Sequence, residues 1–202
     1  MNKEAKVHIL DLSFKGDRDY LHGTDIIPAL VELTGPARNL TVQIHRKTSH
    51  QLSAQWVDEL KLSQMRKEEN ICVLMSYETL DDIKKYIVVT EDLSKPVKTS
   101  KPYDEEKVIN TSKIYETNIS QESYSTGSLI ERVVALNKSL LTDLEDHSSW
   151  LFCGIQLKNL PDDSVPLEII FKNKFGRGLY KSIIITEGQE IGSLTFVGNI
   201  PL

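Results

Sequence analysis

Residues 128–144 read SLIERVVALNKSLLTDL, the clearest periodic signal in the chain. Ile130, Val133, Val134, Leu140, Leu141 and Leu144 recur at three- and four-residue spacing, which winds them onto one stripe of a helix. Ser128 with Glu131 three residues on has the pattern of a capping box, in which two side chains satisfy two orphaned backbone N–H groups. Four strand candidates follow, at 150–157, 167–171, 179–186 and 191–197. Turn residues part them: Pro161-Asp162-Asp163, Gly176-Arg177-Gly178 and Glu187-Gly188-Gln189. The last pair reads as an antiparallel hairpin. On the other side of the helix, a Ser-rich loop at 120–127 is preceded by a strand around Ile114 and Tyr115.

The first half of the chain lays out the same order. An apolar strand at 7–14, whose alternation slips at Ile9-Leu10, leads to a polar loop at 15–25. Pro28 suits the first turn of a short helix over 28–34, and Gly35-Pro36 stops it. The period then becomes two: Leu40, Val42 and Ile44 point one way, Thr41, Gln43 and His45 the other, and Leu52, Ala54 and Trp56 continue the pattern. After a charged connection at 58–70, the run Ile71-Cys72-Val73-Leu74-Met75 reads as a strand buried on both faces, and 86–90 as another. Residues 91–106, with Pro96, Pro102 and little apolar content, read as the connection between halves. The organisation expected is one unit at 1–92, a connection at 93–106 and a second unit at 107–202.

Bulk properties narrow the function. At 202 residues, 40% hydrophobic and 26% charged, the chain has the composition of an ordinary globular protein. No run approaches the roughly 20 apolar residues needed to span a bilayer. The leading Met1-Asn2-Lys3-Glu4-Ala5-Lys6 lacks the pattern of a signal peptide, so the expectation is a soluble, cytoplasmic protein without a membrane partner. Cys72 and Cys153 sit inside apolar runs and read as buried, reduced cysteines. No cluster of Cys, His and carboxylates has metal-ligand spacing, and no cofactor motif stands out. A net charge of −5 argues against a nucleic-acid partner, and His45-Arg46-Lys47 reads as a solvated strand end. There is no Gly-x-Ser-x-Gly elbow. Gly176-Arg177-Gly178 is followed by a strand, not a helix, and so reads as a turn, not a phosphate loop.

A strand, a helix and four antiparallel strands, laid out twice, resembles the hot-dog fold, in which a curved sheet wraps a central helix. The chain as a whole resembles a double hot-dog protein of the acyl thioester dehydratase and thioesterase superfamily, an α+β fold of two tandem repeats. Dehydratases of that family carry a catalytic histidine in a Gly-His-Phe-Pro-Gly stretch ahead of the central helix. Here Tyr20-Leu21-His22-Gly23-Thr24-Asp25-Ile26-Ile27-Pro28 stands in the corresponding place, with the histidine before a glycine but without the Phe-Pro-Gly part. The resemblance implies an acyl-CoA or acyl-carrier-protein thioester as substrate, His22 as base and Glu131, from the other copy's helix, as acid. It implies Asp25 and Asn137 as substrate-binding groups, and no cofactor. The residues also admit plainer readings. His22 can be a loop histidine bonded to backbone or water, Asp25 a turn or capping group, Glu131 a helix cap, and Asn137 a partner for a strand's backbone. Lys138 and Glu145 read as facing water. A non-catalytic binding module or an interaction protein therefore stands beside the enzyme, and the oligomeric state stays open.

Overall fold

The computed structural model describes residues 7–65, 70–122, 126–145, 149–176 and 178–199. The leading residues 1–6 and Arg177 of the expected glycine turn lie outside the described residues. The chain divides into two units, Met1–Tyr103 and Asp104–Leu202.

The first unit contains β1 (Val7–Leu10), β2 (Phe14–Lys15), α1 (Gly23–Thr34), β3 (Ala37–Ile44) and β4 (His50–Val57). It continues with α2 (Glu59–Met65), β5 (Ile71–Thr79), β6 (Lys84–Pro96) and β7 (Ser100–Lys101). Its main sheet is antiparallel in the order β1-β4-β6-β5-β3, while β2 pairs in parallel with β7. Val42, Met75, Ile87 and Trp56 are successive cross-strand partners and so share one face. That face carries the buried Val73, Ala54 and Val89, and α1 supplies the buried Ile26, Ile27 and Leu30. On the opposite face Leu62 of α2 packs with Ile71 and Val88 as a small second cluster.

Four features of this unit differ from the sequence reading. The slip at Ile9-Leu10 ends β1, and the expected single strand becomes two short ones. Helix α1 begins five residues before Pro28, at Gly23, because His22 takes the cap position that a Ser, Thr, Asp or Asn usually holds. The charged connection contains α2. Strand β6 runs on past residue 90 into the stretch read as a connection, because Glu91 is needed there. Its carboxylate, only 4% exposed, lies 2.7 Å from Arg46 Nη2 and accepts a 2.7 Å bond from Thr48 Oγ1. Those partners sit in the loop 45–49, which joins β3 to β4 although β5 and β6 lie between them in the sheet. Arg46, read as a solvated strand end, is thus half of the ion pair that ties this crossing loop down.

The second unit contains α3 (Glu105–Ile109), β8 (Lys113–Tyr115), β9 (Asn118–Gln121), α4 (Leu129–Leu144), β10 (Ser149–Leu157), β11 (Leu167–Phe175), β12 (Leu179–Thr186) and β13 (Gln189–Asn199). Its strands are ordered β10-β13-β12-β11-β9-β8, all antiparallel. Helix α4 has the expected boundaries, and both bonds of the capping box form, with Ser128 Oγ accepting from Glu131 N and Ser128 N donating to Glu131 Oε2. Arg132, fully buried in α4, donates from Nε to Gln121 Oε1 of β9 at 2.8 Å and from Nη1 to the backbone oxygen of Asp163. This clamp holds the helix against the face bearing Gln121, Ile119 and Ile169. The strand expected at Ile114 and Tyr115 is present as β8, but β9 is the strand that joins it to β11. The β12–β13 hairpin closes through Glu187 and Gly188, both at positive φ (51° and 75°), the conformation of a two-residue type I′ turn.

The two sheets differ at their centres. In the first unit the last long strand, β6, lies between β4 and β5; in the second, β11, β12 and β13 follow one another as a meander.

Candidate functional site

The residues singled out at the start of α1 fall into one polar cluster. His22 has extended backbone (φ −90°, ψ 140°), and its Nδ1 accepts a hydrogen bond from Thr24 N at 3.4 Å. The same ring nitrogen is 2.8 Å from Thr24 Oγ1. Thr24 Oγ1 in turn accepts from Lys15 Nζ at 2.9 Å, and Lys15 lies 3.4 Å from Asp25 Oδ1. Lys101 Nζ donates to the same Asp25 oxygen at 2.7 Å, and the Lys15 ammonium stands 4.4 Å over the Tyr103 ring. Asp25 also sits in the first turn of α1, where the helix dipole favours negative charge.

Lys15 is only 1% exposed. A buried ammonium is costly unless paired, and the carboxylate, hydroxyl and ring supply that pairing. Sequence reasoning placed Lys15 in a polar loop and missed it. Its one local signal was the position directly after Phe14, at the end of the apolar alternation. Asp25 is buried, and its Oδ2 has no hydrogen-bond partner among the described residues.

The bonding fixes the chemistry of the imidazole. A backbone N–H can only donate, so Nδ1 must present a lone pair, and the neutral ring carries its proton on Nε2. In this tautomer Nε2 carries the proton and can only donate, and the acceptor nitrogen Nδ1 is already taken by Thr24, so the neutral ring is not set up to remove a proton.

In the second unit Asn137 lies in the buried part of α4, 1% exposed, and neither its Oδ1 nor its Nδ2 has a hydrogen-bond partner among the described residues. The plainer reading, a bond to a neighbouring strand, finds no such bond. Ser182 Oγ on β12 is in the same condition. Ser182 is paired with Phe171 and shares the face of Ile184 and Ile169, the one to which Arg132 clamps α4. Glu131 is occupied by its cap, its Oε2 accepting from Ser128 N at 2.7 Å. Lys138 and Glu145, expected to face water, form ion pairs with Glu105 at 2.7 Å and Lys174 at 3.0 Å.

The cysteines are not set up as nucleophiles. Burial, with the negative charge of Glu91 as a lesser cause, pushes the Cys72 thiol up to about 11, and burial also raises that of the half-buried Cys153. Among the described residues no group of three or more His, Cys, Asp and Glu is arranged to hold a metal ion, and no helix is long and apolar enough to cross a membrane.

No protein-family model and no curated protein sequence matches the chain. Solved structures do. The dehydratase domain of RzxB from Pseudomonas fluorescens is similar at 12% identity and a TM-score of 0.50, over 94% of this chain and 93% of that one. The 12:0-ACP thioesterase from Umbellularia californica is similar at 8% identity and a TM-score of 0.48, over 96% of this chain and 98% of that one. The likeness to the RzxB domain shows the fold: this chain is an α+β protein folded as hot-dog domains are.

Proposed function

We propose that this protein binds and processes an acyl thioester of CoA or of an acyl carrier protein. The observation that carries the reading is Asn137. An amide buried with both ends unbonded costs of order 1–3 kcal/mol for each group left unpaired. Such a residue on the central helix is accounted for if a ligand's carbonyl and amide complete its bonding. Ser182 Oγ adds a second polar group in the same unit, and the fold agrees with the substrate class. Within this reading Asn137 contacts substrate in the second unit, where Glu131 is a candidate acid; in the first unit Asp25 is a candidate substrate-binding group and His22 a candidate acid–base group. The hydrolytic version, release of a free thiol, asks less of His22 than dehydration does, because dehydration begins with abstraction of an α-proton.

A second reading, ligand binding without turnover, is favoured by the proton on His22 Nε2. One assay separates the two. Purified protein is offered acyl-CoA and acyl-carrier thioesters of several chain lengths, with thiol release, water elimination and ligand retention under native mass spectrometry followed together. Turnover reduced at least tenfold by Asn137→Ala is the result expected; retention without turnover gives the second reading. Neither retention nor turnover across the panel sinks both.

A further inference from the structure

The buried lysine beside the α1 N-terminus has no part in the proposed thioester binding, and its bonding pattern leads further. We infer that Lys15 is a positioning residue that sets the tautomer of His22 through the Thr24 hydroxyl. Thr24 Oγ1 has one proton to give and two close neighbours, Lys15 Nζ at 2.9 Å and His22 Nδ1 at 2.8 Å. An ammonium can only donate, so Lys15 takes the acceptor side of the hydroxyl, and the hydroxyl proton must then point at Nδ1. Thr24 N–H points at the same nitrogen. Two donors converge on Nδ1, and the neutral ring is held with its proton on Nε2.

Lys15 is itself fixed, by Asp25 Oδ1 and by the Tyr103 ring, and Lys101 holds Asp25 from the other side. The direction of the whole chain of bonds, from Lys15 through Thr24 to His22, is therefore set by a charge that never contacts the imidazole. Without that charge only the 3.4 Å bond from Thr24 N–H holds Nδ1 as an acceptor, the Thr24 hydroxyl can turn, and the tautomer protonated on Nδ1 gains population. The lysine thus makes Nε2 the donor nitrogen of the neutral His22 ring. This role rests on the reading that His22 faces a thioester, but the tautomer can be measured without any substrate.

The test is long-range ¹H–¹⁵N NMR on protein labelled at histidine, at a pH where the ring is neutral. In the wild type, the His22 Nδ1 resonance is expected at the unprotonated position and Nε2 at the protonated one. Thr24→Val removes the relay and keeps the Lys15–Asp25 pair; Lys15→Met paired with Asp25→Asn removes the charge without stranding its partner. Both are expected to move Nδ1 toward the protonated position, with a mixture of tautomers. A wild-type ring protonated on Nδ1 overturns the inference, as does an unchanged tautomer in folded Thr24→Val protein. If the tautomer shifts as expected while the thioester panel gives neither retention nor turnover, the positioning role stands and the proposed function falls.

Discussion

Asn137 and Cys72 are both buried, yet they make opposite demands on their surroundings. Two unbonded amide atoms make Asn137 a source of instability that a side chain without polar atoms would remove. Asn137→Leu is expected to raise the unfolding free energy by about 1 kcal/mol, the relief of unpaired groups being partly offset by the larger volume. The same change should abolish thioester retention. Urea denaturation checks the first part, and a fall in stability of more than about 2 kcal/mol would mean that the amide is bonded in solution. For Cys72 the folded state holds the proton up to about 11 against an ordinary value of 9.0. The folded chain therefore binds more protons than the unfolded one between those values. The stability that Cys72 contributes is whole below pH 9 and falls as pH rises toward 11. Comparing wild type with Cys72→Ala across that window isolates this slope from the titration of tyrosines and lysines. Equal slopes would remove the argument.

At the scale of elements, the parts legible in the sequence were those where period and cap agree. The α4 stripe and its Ser128–Glu131 box gave the helix to within a residue, and the Glu187-Gly188 hairpin followed from turn chemistry. The failures arose where the local signal was unusual or absent. Helix α1 starts on a histidine cap and α2 lies in a charged stretch with one buried leucine, while Lys15 and Arg132 are charged residues whose partners include Tyr103 and Asp163, distant in sequence. Long-range pairing of that kind leaves no local pattern to read. Asn137 was legible as a polar residue on an apolar stripe, and His22 and Asp25 as candidates ahead of a helix; the bonds from Thr24 to His22 and from Lys15 and Lys101 to Asp25 were not. The β10–β13 pairing carries a sharper demand that sequence did show as a glycine but not as a contact. A Cβ at Gly192 would lie 2.0 Å from the Gln156 backbone oxygen, which cannot swing aside as a side chain can. Gly192→Ala is expected to cost at least about 1–3 kcal/mol by thermal or urea unfolding, as overpacking in a rigid setting does. A neutral substitution would show that the two strands part readily.

Across the whole chain, the order of elements was readable, but the order of strands within each sheet was not, and the two units resolve it differently. In the first, Leu52 lies opposite Glu91 and Val42 opposite Met75, so that only the β5–β6 pair is a hairpin. In the second, β11, β12 and β13 pair in chain order, as do β8 and β9, and only the β10–β13 and β9–β11 pairs reach across long stretches of chain. Closing a long loop before any contact rewards it slows a folding reaction, whereas a meander assembles through short closures. The amides of β11–β13 should accordingly gain protection in pulsed hydrogen exchange before those of β4 and β6. Simultaneous protection would mean that the rate is not set by these closures. The placement of one strand at the centre of a sheet thus decides which half of the polypeptide leads during folding and which waits with its apolar strands uncovered.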